Sequence, residues 1–208
     1  MKQCYLCGTN LIKNVNKSKD HIPPDCFFPS GTQPMITVPC CIKCNEQYRQ
    51  LDEKMRSFIA TLSNTTSSEP IEKGKRAILK SPETAREYLS YTKPHQTLVD
   101  GNGQPRLVFY FNNEELTRWL SRIVKGLFFY ENRRRISDAA IFTAKAMPEI
   151  QPQPSHTFPF ERGLKRRPYF VYGVVHDDNE SNKDFWVFIF YDQIIFVVTV
   201  YTPQISKV

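Results

Sequence analysis

The chain has 208 residues, of which 40% are hydrophobic and 24% are charged, a composition that excludes a largely disordered protein. It contains no run of about 18 apolar residues, and its amino terminus lacks the apolar core of a secretory signal, so we expect a cytoplasmic protein without a membrane partner. The net charge of +7 is compatible with a polyanionic partner such as nucleic acid.

The amino-terminal region contains two cysteine pairs, Cys4-x2-Cys7 and Cys41-x2-Cys44. Two residues between cysteines allow both thiolates of a turn to bind one ion, and two such turns complete a tetrahedral zinc site. In a reducing compartment this spacing favours a metal over disulfides. We therefore predict a structural Zn²⁺ on these four cysteines. Four thiolates leave no coordination position for catalysis.

Two further cysteines lie in the same region. Cys40 is an alternative to Cys41 as a zinc ligand, but the x2 spacing favours Cys41. Cys26 is followed by Phe27 and Phe28 and is expected to be a buried thiol.

The segment Asp20-His21-Ile22-Pro23-Pro24 lies between the cysteine pairs, and Asn45 follows the last cysteine. Phosphodiester hydrolysis requires a base and a cation. Imidazole suits the base near neutral pH, while carboxylate and amide oxygens suit Mg²⁺. Neighbouring residues of a regular strand face opposite sides. Asp20 and His21 can converge if they lie at a strand end, and the two prolines predict such an end.

From Asn45 onward, apolar residues recur at helical spacing and predict an amphipathic helix that starts beside the second cysteine pair. Its apolar positions are Tyr48, Leu51, Met55, Phe58, Ile59 and Leu62. Residues 63–70 interrupt the period and predict a linker or exposed loop.

The remainder predicts an α+β unit. Residues 107–111 are strand-like, and Asn112 with Glu115 resembles a helix-start capping pair. A long amphipathic helix follows, with an apolar face at Leu116, Trp119, Leu120, Ile123, Leu127 and Tyr130, and with Arg118, Arg122 and Lys125 mostly on the other face. Strands at 169–175, 185–191 and 194–201 predict an antiparallel meander, with a tight turn at 192–193.

Two basic clusters are candidate phosphate contacts, namely Arg133, Arg134 and Arg135, and Lys165, Arg166 and Arg167. The alternative for the first cluster is structural, because cations favour helix carboxyl ends. The aromatic residues of this unit are expected in its core. The isolated residues His95, His156 and His176 are expected to be structural or to lie on the surface.

The amino-terminal motifs resemble the HNH endonuclease family, in the variant whose ββα-metal site is stapled by two CxxC knuckles. The matching residues are Cys4-x2-Cys7, Asp20-His21-Ile22-Pro23-Pro24 and Val38-Pro39-Cys40-Cys41-x2-Cys44-Asn45, and the resemblance covers about residues 1–60. It implies His21 as general base, with Asp20 and Asn45 as ligands of a catalytic Mg²⁺ or Mn²⁺. It implies a nucleic-acid substrate, with DNA favoured over RNA. A homodimer is compatible with cleavage of both strands.

One position departs from the family. Many members have an asparagine five residues before the third cysteine, and this chain has Ile36 there. Either Thr37 or the backbone takes over the orienting role of that asparagine, or activity is weakened. Ile36 also favours the alternative, a non-catalytic zinc-ribbon module that binds nucleic acid or a protein.

The expected architecture is α+β in two units. A zinc-stapled ββα-metal module occupies residues 1–62, and a linker occupies residues 63–80. A carboxyl-terminal α+β domain, with an antiparallel sheet and a long amphipathic helix, occupies residues 81–208. Its expected role is substrate binding or dimerisation.

Overall fold

The computed structural model describes residues 2–32, 35–62, 68–80, 82–83, 85–86, 92–99, 105–109, 112–147, 162–166, 169–177, 179–192 and 194–203, with the backbone alone at 61, 92–99, 105–109 and 162–166. Within these residues, three long helices and three antiparallel sheets confirm the α+β class. No helix of the described residues has both the length and the apolar character needed to span a membrane.

The helices are α1 (Ile42–Leu62), α2 (Glu69–Lys80) and α3 (Asn113–Asn132). The strands are β1 (Lys17–His21), β2 (Thr37–Cys41), β3 (Thr92–Val99), β4 (Pro105–Phe109), β5 (Ile141–Met147), β6 (Arg162–Arg166), β7 (Phe170–His176), β8 (Lys183–Phe190) and β9 (Ile194–Tyr201). A short 3₁₀ turn spans Asp25–Phe27.

The amino-terminal region folds in the order β1, β2, α1. β1 pairs antiparallel with β2, with His21 opposite Thr37. β1 ends at His21, directly before Ile22 and the two prolines, as the sequence predicts. Helix α1 begins at Ile42, earlier than the predicted start at Asn45.

The early start of α1 has a local cause. The Cys41 sulfur accepts a hydrogen bond from the backbone N–H of Cys44, at 3.4 Å. This contact satisfies one of the amide donors that have no partner inside the first turn of a helix. Cys41 therefore caps α1, and the second cysteine pair and the helix form one continuous structure.

Residues 69–80 were expected to belong to a linker, and this expectation was wrong for them because they form α2. Ile71 is fully buried, and Gly74 lies so close to α1 that a Cβ at this position would be 2.6 Å from the Ala60 Cβ. The close contact buries one face of α2, formed by Pro70, Ile71 and Gly74. Residues 63–67 lie outside the described residues.

The predicted long helix is confirmed as α3. The Asn112 side chain accepts hydrogen bonds from the N–H groups of Glu114 and Glu115, as expected of an N-cap. The residues of its apolar face that are buried are Leu116, Trp119, Leu120, Ile123 and Leu127. The expectation that Arg122 lies mostly on the polar face was wrong. Its side chain is 2% exposed, because it lies between two buried carboxylates.

The carboxyl-terminal half forms a five-stranded antiparallel sheet in the order β5-β9-β8-β7-β6. The predicted meander is confirmed as β7, β8 and β9. Tyr191 and Asp192 adopt positive φ angles of 54° and 53°, so the turn begins one residue before the predicted position at 192–193. β4 begins at Pro105, two residues before the predicted strand. The edge strand β5 has a single buried side chain, Ala144.

Both halves of the chain contribute to one hydrophobic core. Phe27, from the turn after β1, contacts Trp119 of α3 and Phe190 of β8, with ring centroids 5.3 and 5.4 Å apart. Phe170 and Tyr172 are buried in the same core, as expected of the sheet aromatics. Helix α3 therefore packs against both the amino-terminal elements and the large sheet.

Candidate metal centre and histidine site

Four cysteine sulfurs form a cluster at the start of the fold. The sulfurs of Cys4, Cys7, Cys41 and Cys44 all lie within 4.8 Å of one another. The Cys7 and Cys41 sulfurs are 3.8 Å apart, close to the separation of about 3.8 Å that a tetrahedron with metal–sulfur bonds of about 2.3 Å requires. The cluster could therefore hold a metal such as zinc, on the four cysteines that the spacing predicts.

Cys40 lies beside this cluster and is completely buried. Its sulfur is 3.9 Å from that of Cys4, and the two share a hydrogen bond. This bond lowers the pKa of Cys4 to about 4, and it raises the pKa of Cys40. Cys40 is therefore a buried hydrogen-bond partner of Cys4 and lies beside the four clustered sulfurs rather than among them.

Backbone hydrogen bonds fix the first cysteine pair. The amide of Gly8 donates to the Cys4 carbonyl at 2.9 Å, and Gly8 has a φ of +75° that favours glycine. The amide of Tyr5 donates to the Pro39 carbonyl at 3.0 Å. The first cysteine turn is thus attached directly to β2, which leads into the second cysteine pair.

His21 occupies the last position of β1, and its side chain is 39% exposed. Its Nδ1 lies 3.5 Å from a carboxylate oxygen of Asp25, which is 72% exposed. A carboxylate near Nδ1 favours the tautomer that carries its proton there, which leaves Nε2 free to accept a proton. The sequence prediction missed Asp25. Its signal was its position four residues after His21, beyond the two prolines.

Asp20 faces the opposite way from His21 and is 3% exposed. Arg122 donates from Nε to one carboxylate oxygen at 2.9 Å and from Nη2 to the other. The Tyr5 hydroxyl also donates to Asp20, at 2.5 Å. Burial and the Asp20 charge hold the pKa of Tyr5 well above its usual value, so the hydroxyl keeps its proton and remains a donor.

Arg122 also binds a second carboxylate. Its Nη1 donates to both oxygens of Asp52 on α1, at 2.6 and 2.7 Å, and the Trp119 indole N–H donates to Asp52 at 3.0 Å. Burial opposes the charge of Arg122, but its hydrogen bonds and charge interaction with Asp20 outweigh burial and raise its pKa. The guanidinium is therefore a permanent cation between two acids, a role that sequence analysis did not anticipate.

This arrangement does not fit a catalytic Mg²⁺ or Mn²⁺ on Asp20 and Asn45. Both oxygens of Asp20 accept hydrogen bonds from Arg122, and a magnesium ligand needs an open lone pair in a site that also holds water. The Asn45 amide donates to the Ser18 hydroxyl at 3.2 Å, and Ser18 shares a strand face with Asp20 rather than His21. The structure does not bring Asp20, His21 and Asn45 to one solvent-accessible point.

Ile36 contacts the histidine segment through its backbone. Its carbonyl accepts a hydrogen bond from the Ile22 amide at 3.0 Å, and its side chain is buried. The bond continues the β1–β2 pairing by one step beyond His21. Ile36 therefore supports the histidine segment through its main chain.

The first basic cluster divides into two parts. Arg133 and Arg134 are exposed at the end of α3, and Arg133 has a φ of 57° at the helix C-cap. Arg135 turns inward and donates to the Leu6 carbonyl at 2.9 Å and to Asp138 at 2.6 Å. Arg135 therefore attaches the end of α3 to the first cysteine turn.

The side chains of the second basic cluster are not among those that the structure describes. Lys165 and Arg166 belong to β6, where the backbone alone is described, and Arg167 lies outside the described residues. Of the isolated histidines, His176 is exposed, as expected, with its Nδ1 2.6 Å from Asp184.

Comparisons of the chain with family models, with curated proteins and with solved structures found no match.

Proposed function

We propose that this chain is a zinc-stapled endonuclease of the HNH type that hydrolyses phosphodiester bonds in DNA, with His21 as the general base. One observation carries the proposal. His21 ends β1 within a β1–β2–α1 unit that is closed by four clustered cysteine sulfurs, and its partly exposed ring has a carboxylate at Nδ1. This order of elements agrees with the resemblance in the sequence.

The proposed reaction is the in-line attack of water on phosphorus. His21 Nε2 takes a proton from the water as its oxygen bonds to phosphorus, and the bond from phosphorus to the 3′ oxygen breaks. The leaving oxygen takes a proton from solvent. Asp25 stabilises the imidazolium that forms. A positioned base of this kind contributes about 10²- to 10⁴-fold in rate.

The charge around His21 supports a polyanionic substrate. Lys17, Lys19 and His21 alternate along β1 and therefore share its outer face, and both lysines are exposed. Successive side chains on such a face are about 6.8 Å apart, twice the rise of about 3.4 Å per phosphate along the axis of one strand of duplex DNA. Asn132, the last residue of α3, lies about 9 Å along the helix axis from Gly126, which contacts the residue after His21, and Arg133 and Arg134 follow it.

A divalent cation would stabilise charge on the phosphate and on the leaving oxygen. Asp20 and Asn45 do not fit the role of ligands for such a cation. The residues that this chain itself supplies are the base, the carboxylate that orients it and the lysines beside it.

Nicking of supercoiled plasmid tests this function. The zinc-loaded full chain is compared with His21→Ala at equal zinc content, in the presence of Mg²⁺, of Mn²⁺ and of no added cation. His176→Ala is the matched control, because it removes an exposed histidine on the large sheet. We expect His21→Ala to lose about 10²- to 10⁴-fold in rate and the control to cut normally. An inert wild type, or cutting by His21→Ala at the wild-type rate, would overturn the proposal.

The second candidate is a non-catalytic zinc module that binds nucleic acid. The burial of Asp20 against Arg122 favours it, because the expected cation ligand is turned away from the histidine. Under this alternative, wild type and His21→Ala would bind DNA equally and neither would cut. The salt dependence of binding would then report the phosphate contacts of the lysines.

A further inference from the structure

The two residues on either side of His21 both contact α3. The Asp20 carboxylate binds Arg122, and Ile22 packs against Gly126. Residues 20 and 22 lie on one face of the chain, about 6.8 Å apart, because alternate residues of an extended segment face the same way. Residues 122 and 126 lie one helical turn apart, about 6 Å along the axis. The two spacings match, and His21 points away from α3.

The apolar contact is unusually close. Ile22 is fully buried, and a Cβ at Gly126 would lie 2.5 Å from its Cγ1 and 2.7 Å from its Cδ1. Glycine at position 126 therefore allows the helix backbone to touch the isoleucine side chain. This contact fixes the chain on the carboxyl side of the histidine.

The polar contact fixes the other side. Arg122 reaches Asp20 with two nitrogens, and the rest of its guanidinium binds Asp52 on α1. Its side chain is 2% exposed, so no bound substrate can reach it. One buried cation thus connects β1, α1 and α3 directly behind the histidine.

We propose that Arg122 and Gly126 of α3 form a two-point clamp that positions His21, and that Asp20 is a positioning residue of this clamp rather than a ligand of a catalytic cation. The catalytic consequence rests on the proposed nuclease function, whereas the clamp itself is measured without cleavage. A base must lie within about 3 Å of the proton that it takes, and a displacement of about 1 Å can cost about 100-fold in rate.

The test compares Arg122→Met with Arg118→Met in the zinc-loaded full chain. Arg118 is an exposed arginine one turn earlier on α3, and both guanidinium groups lie over the Tyr48 ring, so the control removes a similar cation. NMR of the imidazole of His21 reports its environment. We expect Arg122→Met to shift the His21 resonances and to lower Tm by roughly 10 °C, and Arg118→Met to change neither appreciably.

Asp20→Asn separates the clamp from a cation site. Mn²⁺ titration followed by EPR should give the same binding curve for wild type and Asp20→Asn. Absence of binding in both proteins also agrees with this prediction. The His21 shifts caused by Asp20→Asn and Arg122→Met should not add in the double variant, because both break one contact. If Asp20→Asn abolished Mn²⁺ binding that Arg122→Met retained, Asp20 would be a cation ligand and the proposal would fail.

Tyr5→Phe keeps the test decisive if Arg122→Met does not fold. It removes one hydrogen bond to Asp20 and leaves the charges in place. A shift of the His21 resonances with unchanged Mn²⁺ binding supports the clamp. Unshifted resonances in every folded variant would refute it, whether or not the chain cleaves DNA.

Discussion

The close packing of Gly126 on Ile22 predicts that Gly126→Ala lowers the stability of the protein rather than raising it. On an unobstructed helix, Gly→Ala stabilises by about 1 kcal/mol, because alanine favours the helix. Here the new methyl group would meet two isoleucine carbons at 2.5 and 2.7 Å. Overpacking of this kind costs about 1–3 kcal/mol. We therefore expect Gly126→Ala to lower the free energy of unfolding by about 1 kcal/mol, equivalent to about a fivefold change in the unfolding constant.

The assay is urea unfolding of the zinc-loaded chain, followed by circular dichroism. Ile22→Ala removes the atoms that obstruct the methyl group, at a cost of about 2–5 kcal/mol for the cavity. In that background Gly126→Ala should stabilise by about 1 kcal/mol, because the helix preference then acts alone. Stabilisation by Gly126→Ala in the wild-type background would refute the close packing of α3 on the histidine segment.

Three further predictions follow from the cysteines and from one buried hydroxyl. Cys41→Ser should bind less than one zinc per chain and unfold the amino-terminal unit, whereas Cys40→Ser should keep one zinc; elemental analysis and circular dichroism check both. Burial, reinforced by a nearby acid, raises the pKa of Cys26 to about 12, so at pH 8 about one molecule in ten thousand carries its thiolate. Mass spectrometry should therefore find this half-buried thiol largely unalkylated by iodoacetamide at pH 8, with labelling rising about tenfold per pH unit up to pH 11; rapid labelling at pH 8 would contradict its raised pKa. Tyr191→Phe removes a 2.9 Å hydrogen bond to the Phe27 carbonyl and should cost about 1–3 kcal/mol in urea unfolding, because that buried carbonyl loses its donor; an unchanged midpoint would contradict this.

Local chemistry made part of the fold predictable from sequence. The two prolines after His21 end β1, and the apolar period after Asn45 describes α1 because its buried residues recur every three or four positions. The four clustered cysteines follow from their spacing alone. The strand predicted at 194–201 has the bounds of β9, because all but one of its residues are apolar and it lies inside the sheet, between β5 and β8.

The residues that could not be predicted depend on distant partners. Arg122 is buried because Asp20 and Asp52 meet it, at separations of 102 and 70 residues along the chain. A pattern that counts apolar side chains cannot register a buried arginine. Helix α2 was missed for a related reason, since its contact with α1 depends on Gly74, which has no side chain to contribute to an apolar period.

The opposed orientation of Asp20 and His21 marks the limit of the motif. Strand alternation predicts that they face opposite sides, while the resemblance implies that both serve one catalytic site. In the structure Asp20 points into the core and His21 points outward. The choice between a nuclease and a module that only binds nucleic acid therefore depends on whether His21 acts as a base.

Single-turnover cleavage of a labelled DNA duplex by the zinc-loaded chain tests that claim most directly, with His21→Ala measured in the absence and presence of added imidazole. The proposed mechanism predicts cleavage by wild type, loss of about 10²- to 10⁴-fold in the variant, and partial recovery as imidazole supplies the missing base. Cleavage by His21→Ala at the wild-type rate, or none by a folded and zinc-loaded wild type, would contradict it.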